Sequence, residues 1–291
     1  MKKYLFSLLL SLAALPVAAQ IEETFWHWQV IDTARIVCSY DYTEYFMFRS
    51  KHIKTHDDLW LEIGDHLSKF QSYRRFQSDS LFYTTAQAKE EYSRRVHEAM
   101  KVKGKTKDES FTMMLDIMPN GSDQIIYKNY PQDSLMVQDW IKNRLYYTEP
   151  LEPQAWEIRP DTTMILGYKC QMAECDWRGR HYVAWFTEEI PISDGPYKFN
   201  GLPGLIFSVK DSTDEYSWEI RSIVKPNGRR IYLSEPLNGD HYKRNDRINT
   251  LKTEWRARLG HVKKANSDDI MLGYEPRETE DPYDLIELDY K

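Results

Sequence analysis

The sequence predicts an α+β, β-dominated protein: a large antiparallel meandering sheet, able to curl into a half barrel, with two amphipathic helices. Three observations lead there. Short runs rich in β-branched and aromatic residues follow one another, divided by Pro, Gly, Asn and Asp turn signals. The connections are too short for parallel crossovers, so neighbouring strands pair antiparallel. Only two stretches, 84–101 and 242–264, read as amphipathic helices, with apolar residues at three-to-four spacing and no proline.

The chain has 291 residues and opens on a secretory pattern. Lys2 and Lys3 precede an apolar run, 4–15, broken only by Ser7 and Ser11, and Val17, Ala18 and Ala19 supply the small residues of a cleavage site. The cut is expected before Gln20, giving a signal peptide over 1–19 and a single domain over 20–291, in the periplasm or secreted. The run is too short to cross a bilayer comfortably, and no basic cluster follows it, so no transmembrane segment is expected in the mature chain.

Strands are then expected at 35–48 and 57–63, the latter with Leu59, Leu61 and Ile63 on one face, with a turn at Gly64-Asp65 and a returning strand at 67–76. In the helix 84–101, Tyr92, Val96 and Met100 recur at spacing four, and a lysine-rich loop, 101–108, follows. Strands at 111–118, 124–130 and 135–141 are divided by turns at 119–121 and 131–133, and Lys142-Asn143 turns the chain into 144–148. Next come 156–158, a long strand at 164–177, a hairpin turn at Arg178-Gly179, and 181–189. Strands at 205–210, 216–224 and 230–233 complete the sheet, the last two joined at Pro226-Asn227-Gly228. The helix 242–264 presents Ile248, Leu251, Trp255, Leu259 and Val262, and Leu285, Ile286 and Leu288 dock the end of an acidic tail, 275–291.

Composition excludes several classes. The net charge is −6, and loss of Lys2 and Lys3 makes the mature chain more acidic still, with no basic block to hold nucleic acid. An aromatic content of 14% argues against a disordered chain. Three cysteines are too few for a disulfide scaffold. Cys170 and Cys175 share a strand about 16 Å apart, too far to bridge, and point to opposite faces, with Cys170 inward and Cys175 exposed. A Cys38–Cys170 bridge and a pair of buried free thiols both fit.

The most specific stretch is Gly201-Leu202-Pro203-Gly204-Leu205-Ile206. It is preceded by Tyr168-x-Cys170, Arg178-Gly179-Arg180, Ala184-Trp185-Phe186, Ile190-Pro191 and Gly195-Pro196. Together with Leu61-Glu62-Ile63-Gly64 and Tyr283-Asp284-Leu285-Ile286, this resembles the GLPGLI family, exported proteins of Gram-negative bacteria. The resemblance implies location and fold, and it brings no reaction or catalytic residue. Physically, Pro203 suits position i+1 of a type II turn, Gly204 supplies the positive φ that such a turn needs, and Gly201 permits close backbone approach. Two readings follow for the hexapeptide: a buried corner feeding the next strand, or the lip of an apolar cavity. Trp185, Phe186 and Phe199 are the candidate aromatic binding cluster beside it.

His52 and His56, with Asp57, Asp58 and His66, form the densest group of metal-ligating side chains. They are weak candidates, because an extended chain separates i and i+4 by about 13 Å. Neither G-x-S-x-G nor H-E-x-x-H occurs. Ser222-x-x-Lys225 has no companion motif, and Glu188 and Glu189 face opposite sides of a strand. No catalytic residue and no cofactor is expected. The function expected is a non-catalytic binding or accessory role at the envelope, towards an apolar ligand or a partner such as an outer-membrane transport or assembly system. A periplasmic metal-handling protein is the alternative, and an unrecognised hydrolase stands third.

Overall fold

The fold is that of a computed structural model, which describes residues 29–48, 51–76, 90, 94, 97, 122–141, 143–234, 241–257 and 285–290. The strands are β1 Gln29–Thr33, β2 Ile36–Phe48, β3 Lys51–Ile63, β4 Ser68–Ser72, β5 Ile125–Lys128, β6 Ser134–Trp140, β7 Arg144–Pro150, β8 Glu157–Ile165, β9 Tyr168–Trp177, β10 Arg180–Thr187, β11 Leu205–Asp211, β12 Tyr216–Val224, β13 Arg230–Leu233 and β14 Lys243–Arg244. Twelve of them form one sheet in the order β14-β7-β6-β5-β4-β3-β2-β12-β11-β10-β9-β8, while β1 and β13 pair separately. The protein is therefore β-dominated, as the turn signals predict. The sheet is mixed rather than purely antiparallel, because β14 lies parallel to β7.

Two meanders build the sheet. One runs outward from β2 to β7, and the other runs from β8 back to β12. They join where β12 pairs with β2, from Tyr216 opposite Glu44 to Val224 opposite Val37. Ten strand spacings separate β7 from β8, about 48 Å if the sheet were flat. The connection 151–156 reaches only about 25 Å at full extension, so the sheet must curl. Its far parts do meet: Arg178 Nη2, in the β9–β10 turn, lies 2.8 Å from Glu149 Oε2 on β7. The barrel is not closed, since no ladder joins β7 to β8.

The concave face holds the main core. Leu61, Phe70, Ile126, Val137 and Tyr147 stand in register across five strands and are all buried. The long β10–β11 loop, 188–204, enters this core and contributes Tyr197, Phe199 and Leu202. A second cluster, Ala34, Val37, Leu67 and Ile231, packs the β1–β13 pair against the main sheet. Leu251, Leu285 and Tyr290 form a third, joining residues 247–257 to the chain end.

Helical residues are 73–76, 90, 94, 97 and 247–257. Of the predicted helix 84–101, only Glu90, Arg94 and His97 are described; all three are helical and exposed, and the rest lies outside the described residues, as do the strand 111–118 and the loop 101–108. The second helix starts later than 242 because Lys243 and Arg244 pair with β7 first. Asp246 then caps it, its Oδ1 accepting from Asn249 N at 2.8 Å; beyond 257 the predicted helix also falls outside the described residues.

Several expectations need correction. The strand at 164–177 is two strands, split by Leu166 (φ +51°) and Gly167 (φ +82°). That pair matches the Arg178-Gly179 turn (φ +54° and +83°), and both are two-residue hairpins with left-handed central residues. A leucine in the left-handed position hides the first turn from a composition reading. The strand expected at 67–76 ends at Ser72, and β3 begins at Lys51, so His52 and His56 lie inside a strand. The strand 230–233 does not pair with its predecessor; β13 pairs with β1 instead. Cys175 is buried, as are Cys38 and Cys170, and all three thiols are free. The inward face of β9 changes parity between Cys170 and Ala173, so both of its cysteines turn inward.

Candidate functional site

The hexapeptide is a corner, held differently from the turn chemistry expected of it. Gly201 takes the positive φ, +92°, and a Cβ there would stand 2.4 Å from Pro153 Cβ. Gly204 has no left-handed φ. Its hydrogen faces the backbone of β10, where a Cβ would stand 2.0 Å from Thr187 O and 2.5 Å from Thr187 C. The type II assignment is therefore wrong, and close approach is what excludes a side chain at Gly204. Leu202, Leu205 and Ile206 are buried and Pro203 is exposed. Leu205 N donates to Ile190 O (3.0 Å), Ile206 N to Asp194 O (2.9 Å), and Tyr40 OH to Ile206 O (2.7 Å).

The candidate aromatic trio is only partly brought together. Phe186 and Phe199 are fully buried, whereas Trp185, next to Phe186 in the strand, faces the other side and is half-buried. The rings around Phe199 are Trp156, Trp177, Tyr182, Tyr197 and Trp218, at centroid distances of 4.8 to 6.1 Å.

Buried ion pairs tie the loop and the chain end to the sheet. Lys198 Nζ donates to Tyr147 OH (2.9 Å), Glu149 Oε1 (2.8 Å) and Glu287. Arg247 Nε pairs with Glu287 Oε2 at 2.6 Å, and Tyr197 OH donates to Glu287 Oε1 at 2.7 Å. Burial acts to raise the Glu287 carboxyl, yet Lys198 and Arg247 outweigh it and hold it at about 2. Lys128 Nζ anchors the same loop through Asp194 Oδ1 (2.6 Å) and Phe199 O (3.1 Å). These cations are saturated by protein groups and serve structure.

A cleft of about 610 Å³ opens between the concave side of β3–β6 and residues 247–257 with the chain end. Tyr42, Leu59, Phe70, Ile126, Trp140 and Trp218 supply apolar wall. Asp57, Gln124 and Asp139 lie on the sheet side, and Glu254 faces them from the helix. Pairing and hydrogen bonds explain the first group: Leu59 stands opposite Ser72, whose hydroxyl meets Asp57, and Asp139 follows Val137 of the Leu61 row on β6, where Gln124, just before β5, reaches it. Asp57 and Asp139 thus continue inward-facing stripes that are otherwise apolar, Leu59-Leu61-Ile63 and Leu135-Val137.

Both carboxylates are buried, 6% and 7% exposed. Asp57 Oδ1 accepts from Ser72 Oγ (3.0 Å) and Oδ2 from Ser122 N (2.8 Å). Burial outweighs these bonds and pushes the carboxyl up to about 6. Asp139 Oδ1 accepts from Trp140 N (2.7 Å) and Oδ2 from Gln124 Nε2 (3.3 Å). Burial first, then the negative charge of Glu254 and Asp123, pushes it up to about 7. Among the described residues neither is ion-paired: the arginines beside them pair elsewhere, Arg74 with Asp58 and Arg75 with Asp123. Three strand spacings separate Asp57 on β3 from Asp139 on β6, about 14 Å across the sheet, against about 5–9.5 Å for carboxylate pairs that share a glycosidic substrate. They are two separate polar points in one cleft.

The histidines do not converge. His56 Nδ1 stands 3.4 Å from Thr43 Oγ1 and 3.5 Å from Asp41 Oδ1. His52 lies four strand residues away, and His66 lies beyond the far end of β3, its backbone N donating to Asp32 Oδ2 (2.7 Å). Among the described residues no three His, Cys, Asp or Glu side chains gather to hold a metal. In the sequence Asp57 stands out only beside these histidines, and Asp139 belongs to no motif. The available signal was an acid continuing an apolar i, i+2 stripe.

Residues 178–208 are similar to a family described as "Protein of unknown function (Porph_ging)". That stretch runs from the Arg178-Gly179 turn through the hexapeptide, so the part most specific in sequence matches Porph_ging, a match that does not by itself confirm the GLPGLI name. No curated protein matches the chain. Two solved structures of PNGF-II, in space groups P21 and C2, are distantly similar in fold. The first has 11% identity and a TM-score of 0.47 over 78% of this chain, and the second has 13% and 0.43 over 76%. The chain spans about a third of the length of each, 34% and 33%. At that distance neither says what this chain does.

Proposed function

We propose that this is an exported, non-catalytic binding protein of the cell envelope, with its ligand in the cleft between β3–β6 and residues 247–257. One observation carries the reading: a cleft of about 610 Å³, within the usual range for small-molecule sites, whose walls mix aromatic faces with buried carboxylates. The apolar ligand expected from the sequence becomes one with apolar and polar parts. The wide separation of Asp57 and Asp139 favours binding over carboxylate catalysis. The leader pattern at 1–19 supports export of one domain over 20–291, with Gln20 as the mature N-terminus.

Native mass spectrometry of the protein recovered from its own envelope tests the reading. A bound small molecule is expected, lost in Ile141→Trp, whose indole would fill the cleft. Wild-type protein of bare polypeptide mass, with a melting temperature unmoved by a small-molecule panel, overturns it. N-terminal sequencing of the same sample tests the cut before Gln20.

A further inference from the structure

We infer that the cleft accepts an organic cation, with a protonated amine or guanidinium seated on Asp57 or Asp139 and an apolar body against Tyr42, Leu59 and Trp218. This rests on the binding reading above and names its ligand class. Buried charges in folded proteins are normally paired, and this chain follows that rule around the cleft. Buried Glu287 is paired with Lys198 and Arg247, and the partly exposed Asp123 is paired with Arg75 as well. Asp57 and Asp139 break it: among the described residues each accepts only from neutral serine, backbone or glutamine donors.

The surroundings make a cation the complementary occupant. Among the described lining residues Arg74 is the single Lys or Arg side chain, and its partner is Asp58. Asp139 faces the Glu254 carboxylate from the helix and Asp123 from the segment before β5, the latter neutralised by Arg75. Asp57 faces Ser72 and Ser122, with Arg74 nearby and His56 and Asp58 as its neighbours on β3. A bare metal ion is disfavoured, because it needs oxygen ligands converging at about 2.0–2.6 Å and these carboxylates lie on different strands. Aromatic faces, by contrast, attract organic cations and bury their apolar parts. An arriving ammonium stabilises the ionised carboxylate, so binding releases a proton to solvent and tightens as pH rises.

Trp140 and Trp218 line the cleft, so their fluorescence reports occupancy. The full mature chain is titrated with octylamine, octanol and octanoate at pH 5.5 and pH 8. At pH 8 octylamine is expected to bind about tenfold or more tighter than octanol, since a charge partner buried in a site adds at least that much. Octanoate is expected not to bind, and the preference for amine is expected to shrink at pH 5.5. Asp139→Asn or Asp57→Asn removes the preference and leaves octanol binding unchanged. If one variant does not fold, the other and the wild-type pH series still decide. Equal binding of amine and alcohol at pH 8 overturns the cation inference and leaves the binding reading standing. A signal unmoved by all three probes overturns both.

Discussion

Replacing Gly204 by alanine tests the account of the corner directly. The added Cβ would stand 2.0 Å from Thr187 O and 3.0 Å from Glu188 Cα. These are backbone atoms where β10 ends, so no side chain can swing aside to relieve the contact. Relief requires the corner to lift away from β10. The exposed bonds are Leu205 N to Ile190 O, Ile206 N to Asp194 O, and Tyr40 OH to Ile206 O. Each is worth about 1 kcal/mol net, so losing the three costs about 3 kcal/mol before any change in packing. In a chain of this size that lowers the melting temperature by roughly 6–12 °C. Gly228→Ala is the control, because that glycine has φ +68° with nothing within 4 Å of the added carbon, and only the left-handed penalty of about 1–2 kcal/mol applies. Urea unfolding followed by circular dichroism reads both. If Gly204→Ala melts within a degree of wild type, or is no worse than Gly228→Ala, close approach is not what demands a glycine there.

Four further outcomes follow from burial and charge. Lys198→Met leaves buried Glu287 with Arg247 as its remaining close cation and should cost up to about 3–5 kcal/mol in urea unfolding; a loss below 1 kcal/mol would show that Arg247 suffices for the charge. The Glu287 carboxyl is held below its unfolded value, so its stabilisation is present above about pH 4.5 and lost as pH falls towards about 2. Glu287→Gln should remove that acid-side slope. Asp57 and Asp139 carry the opposite sign. Their carboxyls are raised to about 6 and 7, so the folded state holds protons that the unfolded state has released. Stability of the ligand-free protein should fall as pH rises from about 4 to 7, by at most about 1.4 kcal/mol per pH unit for each carboxylate. Asp139→Asn should flatten the slope, and an unchanged slope would place that carboxylate in water. Burial pushes the Cys38 and Cys175 thiols up to about 12 and Cys170 to about 11. A soluble disulfide reagent at pH 8 should therefore label none of them in the native protein and all three in urea.

The strands were legible wherever alternation and turn chemistry agree. The Arg178-Gly179 hairpin, the β5–β6–β7 meander and the docked Leu285 all stand where local patterns put them. The hairpin at Leu166-Gly167 was not legible, because leucine gives no sign of tolerating a left-handed φ. The candidate site was harder to read. Asp57 and Asp139 lie 82 residues apart in sequence, and neither belongs to a motif. Each looks like an ordinary surface acid until the parity of its strand is followed. The histidine group drew attention because such side chains are rare and close in sequence, yet a strand sets His52 and His56 about 13 Å apart.

By itself, then, the sequence determined what depends on a few neighbouring residues: which segments are extended, where most turns fall, that an amphipathic helix lies within 242–264, and that the hexapeptide is either a corner or a cavity lip. Local sterics and side-chain alternation decide those things, and both are written in consecutive residues. Tertiary structure alone decided that β2 and β12 join two meanders, that a six-residue connection forces the sheet to curl, and that Gly204 rather than Gly201 abuts β10. It also decided that two carboxylates with no ion-pair partner among the described residues face one cleft. Strand pairing and burial depend on partners dozens of residues away, and the cost of burying a charge exists only once those partners have displaced water.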